Sequence, residues 1–178
     1  MSSTTRLRLV LLAIGLAVAA GGCSDPVQGA PTAAPPTATG LSLDGVDPCA
    51  TLTAEQRSAL GLGAGEPQQN VRSDLHTCIW RGPHGLYQVT TLTANALDDV
   101  RRTNPGSVDG VLDGHPTVQT RGVGGNPDQA CHVYVEVASE QMVHVGFEPL
   151  ESRPPAREVS CAAVAAMARG VLATLAAR

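Results

Sequence analysis

The stretch 131–147, CHVYVEVASEQMVHVGF, decides the fold of this chain. Apolar residues occupy every second position from 131 to 137 and again from 143 to 147, and polar residues stand between most of them. A period of two is typical of strands that bury one face. The two runs lie close together, so the pattern predicts an antiparallel hairpin with a valine-rich buried face.

The length of the hairpin loop decides which residues pair. A two-residue loop would place Val135 opposite His144 and turn the two apolar sets to opposite faces. A three-residue loop over 139–141 instead pairs Val135 with Val145 and keeps both sets on one face, and a five-residue loop gives the same pairing. We therefore expect an odd loop, which also places Glu136 opposite His144 on the polar face.

An alanine-rich helix is predicted at the C-terminus, over 157–177, because its apolar residues recur at three- and four-residue spacings. Cys161 begins this apolar stripe, and Cys131 lies on the valine face of its strand. A Cys131–Cys161 disulfide would pin the helix to the sheet and leave Cys49 to pair with Cys78. Four cysteines allow three connectivities, and this one is favoured.

Shorter elements are expected upstream of the hairpin. Thr53 followed by Gln56 is a capping-box pattern that begins a short helix, and Gly61 suits its end. The other candidates are strands at 77–81, 86–93 and 116–121 and a weak helix at 96–102. This order favours an α+β fold with an antiparallel sheet of about five strands, N- and C-terminal helices packed on one face, and two disulfides.

Residues 1–22 have the form of an export signal. Two arginines precede an apolar run over 9–20 that is too short to span a bilayer, and two glycines lead directly to Cys23. A cysteine at this place is typical of a bacterial lipobox, in which the thiol forms a thioether to a diacylglyceryl group with palmitate-type chains. Cleavage then leaves this cysteine as the lipidated N-terminal residue. Cleavage after Ala19, as in an ordinary secretory signal, is the alternative.

The cysteine count favours the lipid anchor. The chain has five cysteines, and an odd one in an exported protein would pair between chains or stay reactive. Acylation of Cys23 leaves four for two bridges and attaches the protein to the extracytoplasmic face of the cell membrane. Residues 23–46, rich in Pro, Ala and Thr, are expected to be a disordered linker, and 47–178 a single domain.

Composition argues against several partners. A chain beginning at Cys23 has ten arginines, no lysine and sixteen acidic residues, a net charge of −6. We expect neither nucleic-acid binding nor a polybasic lipid contact from such a chain. With one Trp, two Tyr and one Phe, a stacking platform for bases or sugars is not expected either.

Several sequence anchors together resemble a known family. They are Cys23, Asp47-Pro48-Cys49, Leu52-Thr53, Leu60-Gly61, Cys78-x-Trp80, Gly114-x-Pro116, Cys131 with its alternating valines, and the Cys161 helix. In this combination the chain resembles the actinobacterial lipoproteins grouped as domain of unknown function 3558. The resemblance implies an envelope-anchored α+β domain and supplies no catalytic residues. Ala20, where a lipobox usually has leucine, departs from the pattern.

No specific catalytic, metal or cofactor motif follows the signal. The five histidines show neither H-x-x-x-H nor H-x-H spacing, so we expect no metal and no cofactor. Glu136 and His144 are the best acid/base candidates, because a carboxylate beside an imidazole raises the pKa of the imidazole. A solvated cross-strand pair is the competing interpretation.

Three functions are compatible with the sequence. The first is a non-catalytic binding or accessory domain that recognises an envelope protein or a small molecule. The second is a small-molecule or lipid carrier with a cavity between sheet and helix. The third is a hydrolase-type enzyme that uses Glu136 and His144 and needs a concave site around them. A structural spacer, by contrast, would show neither a pocket nor an exposed apolar patch.

Overall fold

A computed structural model describes residues 40–69, 74–122, 127–150 and 154–178. The predicted export signal, Cys23 and most of the predicted linker lie outside these residues. The helices are a 3-10 turn Pro48–Ala50, α1 Ala54–Ala59, α2 Leu97–Thr103 and α3 Arg157–Ala176. The strands are β1 Gly65–Gln68, β2 Leu75–Gly82, β3 Gly85–Leu92, β4 Val108–Leu112, β5 His115–Thr120, β6 Cys131–Ala138 and β7 Gln141–Pro149.

The described strands form one antiparallel sheet of seven, in the order β1-β2-β3-β7-β6-β5-β4. The predicted α+β class and antiparallel sheet are confirmed, but the expected number of about five strands is too low. The two strands absent from the prediction are the edges, β1 and β4. Both are short and mostly exposed, so they carry little of the apolar alternation that marks a buried strand.

The predicted hairpin register is wrong by two residues. Ala138 pairs with Gln141, so the loop has two residues, and Val135 pairs with Val143. A β-bulge between Glu136 and Ala138 supplies the odd residue that we had assigned to the loop. The bulge restores the face parity, and the valines of both strands share one buried face as expected.

The shifted register also corrects the predicted acid/base pair. Glu136 stands opposite Met142, and His144 stands opposite Tyr134. The pairing of Glu136 with His144 is therefore not formed.

The valine face of the sheet packs against α3 to form the main core. The helix contributes Val164, Met167, Ala168, Val171, Leu172 and Leu175 to this core, and Trp80 and Phe147 are its largest fully buried side chains. On the same side, Gln56 of α1 donates from Nε2 to the carbonyl of Gly170 in α3 at 3.1 Å. The two terminal helices thus lie on one face, as predicted.

Both predicted disulfides are present. Cys49 is bonded to Cys78 and Cys131 to Cys161, with Cα–Cα distances of 5.1 and 5.2 Å. The second bridge joins the first turns of α3 to β6. Length and composition alone would let α3 cross a membrane, but here its apolar stripe is a core element packed on β6 and β7.

Helix α2 lies on the opposite face of the sheet. Its Leu97 and Val100 pack against Val118 and Met142, whose side chains alternate with those of the valine face. The expectation that the N- and C-terminal helices share one face did not extend to α2. This short helix covers only part of its face, and the remainder is available to solvent.

The folded domain begins earlier than predicted. Leu43 and Val46 are only 2% and 7% exposed, and the amide of Leu41 donates to the carbonyl of Val137 at 3.1 Å. Residues 41–46 therefore belong to the packed domain rather than to the linker.

Candidate functional site

A polar groove of about 300 Å³ lies on the α2 side of the sheet, beside the C-terminal end of that helix. We call it the histidine groove. Its lining residues are Gln88, Asn104, Thr120, Arg121, His132, Tyr134, His144 and Glu148. A groove of this size matches the lower end of small-molecule sites.

Strand alternation explains why the groove is polar. His132 and Tyr134 alternate with the buried valines of β6, and His144 and Glu148 do the same in β7. All four side chains therefore leave the sheet on the face opposite α3. The sequence that builds the valine core builds the groove at the same time.

Gly146 makes room for the central histidine. It pairs with His132 on one side and with Gln88 on the other. A Cβ at position 146 would lie 2.5 Å from Nδ1 of His132 and 3.0 Å from Nε2 of Gln88. The missing side chain lets the His132 imidazole lie across β7.

The His132 ring links two residues of β7 into a hydrogen-bonded chain. Its Nε2 lies 2.9 Å from Oε1 of Glu148, and its Nδ1 lies 2.8 Å from Nε2 of His144. The two imidazole planes are inclined by only 21° with centroids 5.0 Å apart, which fits a bond that joins the rings edge to edge.

The carboxylate fixes the direction of this chain. Ionised Glu148 can only accept, so Nε2–H of His132 donates to it. Nδ1 of His132 is then an acceptor, and Nε2–H of His144 donates to it. His144 is left with Nδ1 as an acceptor, and this atom has no hydrogen-bond partner among the residues that the structure describes.

Tyr134 holds the far histidine in place. Its ring stacks on His144 with centroids 4.4 Å apart and planes inclined by 11°. Tyr134 also packs against the cluster under α2, which anchors the stack to the sheet. The orientation of His144 is therefore fixed by a stacked ring and by a hydrogen bond.

Burial keeps both imidazoles neutral. Desolvation is the main cause that lowers the pKa of His144 to about 3, and the neighbouring His132 lowers it further. Desolvation also lowers the pKa of His132, although the charge of Glu148 and its hydrogen bond act in the opposite direction. Burial raises the pKa of the Tyr134 hydroxyl. At neutral pH the groove therefore holds two neutral imidazoles and one carboxylate.

No set of three or more His, Cys, Asp or Glu side chains within the described ranges is arranged to hold a metal ion. Both ring nitrogens of His132 are occupied, one by Glu148 and the other by His144. The arrangement is a hydrogen-bonded chain that ends at Nδ1 of His144, an acceptor without a partner among the described residues.

Sequence reasoning located one member of this site and missed the others. His144 lies in the groove, whereas Glu136 does not line it; the backbone carbonyl of Glu136 lies 3.0 Å from Nδ1 of His115. His132, Gly146 and Glu148 were missed. Their signal was the spacing of polar residues and glycine along the non-valine face of the hairpin, which becomes readable only with the correct register.

A larger depression of about 510 Å³ lies at the β1–β2 side of the domain, lined in part by Asp44, Asp47 and His76. All three of these side chains are exposed. The histidine groove differs because its polar groups are withdrawn from solvent and hold one another in fixed positions. We therefore take it as the candidate site.

The fold and groove define a small disulfide-linked α+β domain with a polar groove on one face of its sheet. Residues 18–174 match the family model described as "Protein of unknown function (DUF3558)", and the chain belongs to this family. No curated protein and no solved structure matches the chain.

Proposed function

We propose that this protein is a membrane-anchored extracytoplasmic lipoprotein, attached through acylated Cys23, whose domain is a non-catalytic binding module. The anchor is supported by the signal pattern and by cysteine use. The two disulfides take four of the five cysteines and leave Cys23 as the remaining one. Two bridges also suit a domain that folds in an oxidising compartment.

The observation that carries the binding role is the Glu148–His132–His144 chain in an open groove. Three polar side chains are aligned at hydrogen-bonding distance on the face of the sheet opposite the valine core. Such prearranged polar groups in a concave surface are the usual basis of specific recognition. This hydrogen-bonded chain ends at Nδ1 of His144, an acceptor in a fixed position that a ligand can use.

The same geometry favours binding over catalysis. A general base works best when its pKa lies near the operating pH, and the pKa of His144 is lowered to about 3. None of the described groove residues places a hydroxyl within hydrogen-bonding distance of either imidazole. The hydrolase hypothesis also relied on Glu136, which stands opposite Met142.

The carrier hypothesis gains no support from the packing. The centre of the space between the sheet and α3 is filled by side chains such as Val135, Val145 and Met167, which are at most 1% exposed. A cleft of about 200 Å³ lies at its edge, beside β4 and Ala165. A ligand cavity at the centre would require Val135, Val145 and Met167 to separate.

Site-specific photocrosslinking in the native envelope tests the proposed binding site. A photoreactive residue replaces Arg121, which is exposed at the groove rim, and the matched control replaces Val159, which is exposed on α3. We expect a specific adduct at position 121 that is absent at 159 and lost when His144→Phe is added. Equal labelling at both positions, or no adduct at 121, would refute the groove as the binding site.

A further inference from the structure

The histidine groove contains several hydrogen-bond acceptors that no described residue uses. Nδ1 of His144 and the second carboxylate oxygen of Glu148 have no partner among the described residues. Asn104 contributes a third acceptor. Its Nδ2 donates to the carbonyl of Val100 at 2.9 Å and to Oγ1 of Thr103 at 3.1 Å. Its side-chain amide oxygen has no hydrogen-bond partner among the described residues.

Two charged side chains line the groove, Glu148 and Arg121. Arg121 at the rim pairs with Asp128 at 3.1 Å, so this cation is already balanced within the protein. The imidazole between Glu148 and His144 is neutral, since burial lowers its pKa. Glu148 thus makes no direct ion pair with an arginine among the described residues, and its partner at ion-pairing distance is the His132 imidazole.

We infer that the histidine groove binds a small organic cation rich in N–H donors, namely an alkylammonium or guanidinium group. The inference rests on the proposed function and names the ligand class of that site. An ammonium group offers three donors and no acceptor, which matches a set of acceptors around one carboxylate. Hydrogen bonds between charged partners are about twice as strong as neutral ones.

Other ligand classes fit less well. A neutral polyol could satisfy the same acceptors but would bring no positive charge to Glu148 in a partly desolvated groove. An anion would face this carboxylate with Arg121 already paired. The volume of about 300 Å³ limits the ligand to a few carbon atoms beyond the cationic group.

A titration with matched four-carbon probes tests the ligand class. The protein is residues 23–178 with Cys23→Ser, labelled with ¹⁵N, and the probes are 1,4-diaminobutane, agmatine, 1,4-butanediol and succinate. Backbone amide shifts report binding residue by residue. We expect both cations to shift the groove amides near 104, 132–134 and 144–148, and to bind at least tenfold more tightly than the diol or succinate.

Variants locate the interaction. Glu148→Gln keeps the hydrogen bond to His132 but removes the charge, and should weaken cation binding at least tenfold. His144→Phe keeps the stack on Tyr134 and removes the acceptor, with a similar effect. Glu66→Gln, which removes an exposed carboxylate on β1 at the far edge of the sheet, should leave binding unchanged.

The outcomes separate this inference from the proposed function. Groove shifts with the diol or succinate at equal or greater affinity would overturn the cation assignment and leave the groove as a binding site. Absence of groove shifts with either cation would also overturn the cation assignment. The proposed function would then depend on photocrosslinking at position 121, which makes no assumption about ligand charge.

Discussion

His144 shows how burial turns a titratable side chain into a fixed neutral acceptor. An imidazole in water is half protonated at pH 6.5, but the ring between Tyr134 and His132 has a pKa lowered to about 3. Protonation would place a cation beside His132 with little water to solvate it. The side chain therefore keeps one chemical form over the pH range in which most proteins are folded.

This depressed pKa makes stability fall with acidification. Above pH 6.5 the residue is neutral in both states, whereas between 6.5 and about 3 only the unfolded chain takes up the proton. From pH 7 to 5 we expect His144 to lower the free energy of unfolding by about 2 kcal/mol. Urea denaturation of the wild type and of His144→Phe at both pH values measures this effect. Between pH 7 and pH 5, the free energy of unfolding of the variant should fall by about 2 kcal/mol less than that of the wild type. Identical losses would contradict the assignment.

Gly146 is the residue whose substitution should damage the groove most directly. A methyl group at this position would overlap Nδ1 of His132. We expect Gly146→Ala to cost about 1–3 kcal/mol of stability and to break the His132–His144 hydrogen bond, because overpacking forces the ring to move. Chemical denaturation and imidazole ¹⁵N spectra measure the two effects.

The control for this substitution is Gly63→Ala. A Cβ at position 63 meets only the carbonyl of Arg81, at an ordinary 3.5 Å. Its effect on the free energy of unfolding should stay within about 0.5 kcal/mol, as is usual for surface substitutions. A Gly146→Ala protein as stable as this control, with unchanged histidine spectra, would show that the ring has room to move without loss.

At the scale of single residues, the sequence predicted which positions face the core but not which polar residues meet. Alternation alone places His132, His144 and Glu148 on one face. Their contacts depend on the register of the β6–β7 hairpin and on the glycine at position 146. Neither feature can be recognised from the alternation of apolar residues in the sequence. Glu136 was selected because the hairpin was paired without a bulge.

The β6–β7 hairpin explains this error at the scale of elements. Face parity required one odd residue between the two apolar runs, and we placed it in the loop. The chain places it in the strand as a bulge and keeps a two-residue turn with Glu140 at φ 57°. Both solutions bury the same valines, so the apolar pattern cannot distinguish them. Two-residue loops are the commonest hairpin connection, which favours a two-residue turn with a bulge over a three-residue loop without one.

The core elements were predictable because each carries a strong periodic signal. The C-terminal helix, the capping box at Thr53 and both disulfides are confirmed. The edge strands were not predictable for the opposite reason. β4 is exposed at four of its five residues, and β1 contains Pro67, which a central strand would not tolerate.

The two disulfides allow a matched test of what holds the elements together. The bridges join residues 29 and 30 positions apart, so the chain-entropy model assigns each of them about 3–4 kcal/mol. We expect Cys49→Ala with Cys78→Ala, and Cys131→Ala with Cys161→Ala, to lower the free energy of unfolding by nearly equal amounts. Denaturation of the two double variants measures this.

A difference above about 2 kcal/mol between these variants would contradict the entropic account. It would mean that the packing of α3 on β6, or of the Cys49 turn on β2, depends on the bridge itself. Loop entropy and local packing can both contribute to the stability that a disulfide supplies, and nearly equal loop lengths remove loop entropy as a source of difference.

At the scale of the whole molecule, the two faces of the sheet differ in character: one carries the apolar core and the other carries the polar groove. The valine face, α3 and the disulfides supply stability, and their side chains are buried and cross-linked. The α2 face carries the histidine groove, in which His132 is buried and Tyr134 and Glu148 are partly exposed. Because the core and the groove lie on opposite sides of the same strands, groove residues can change with small effect on the core.

The predicted membrane anchor depends on Cys23, which lies outside the folded domain, so it has to be tested on the whole protein. Since four cysteines are paired in the fold, acylation of Cys23 would leave no free thiol in the exported protein. We expect membrane-extracted protein to have an intact mass that starts at Cys23 and includes added acyl chains, and Cys23→Ser protein to leave the membrane fraction. A chain that starts at Ala20 without acyl groups would instead show cleavage after Ala19 and an ordinary secreted protein. That result would remove the anchor and leave the groove and its ligand class to be judged by their own tests.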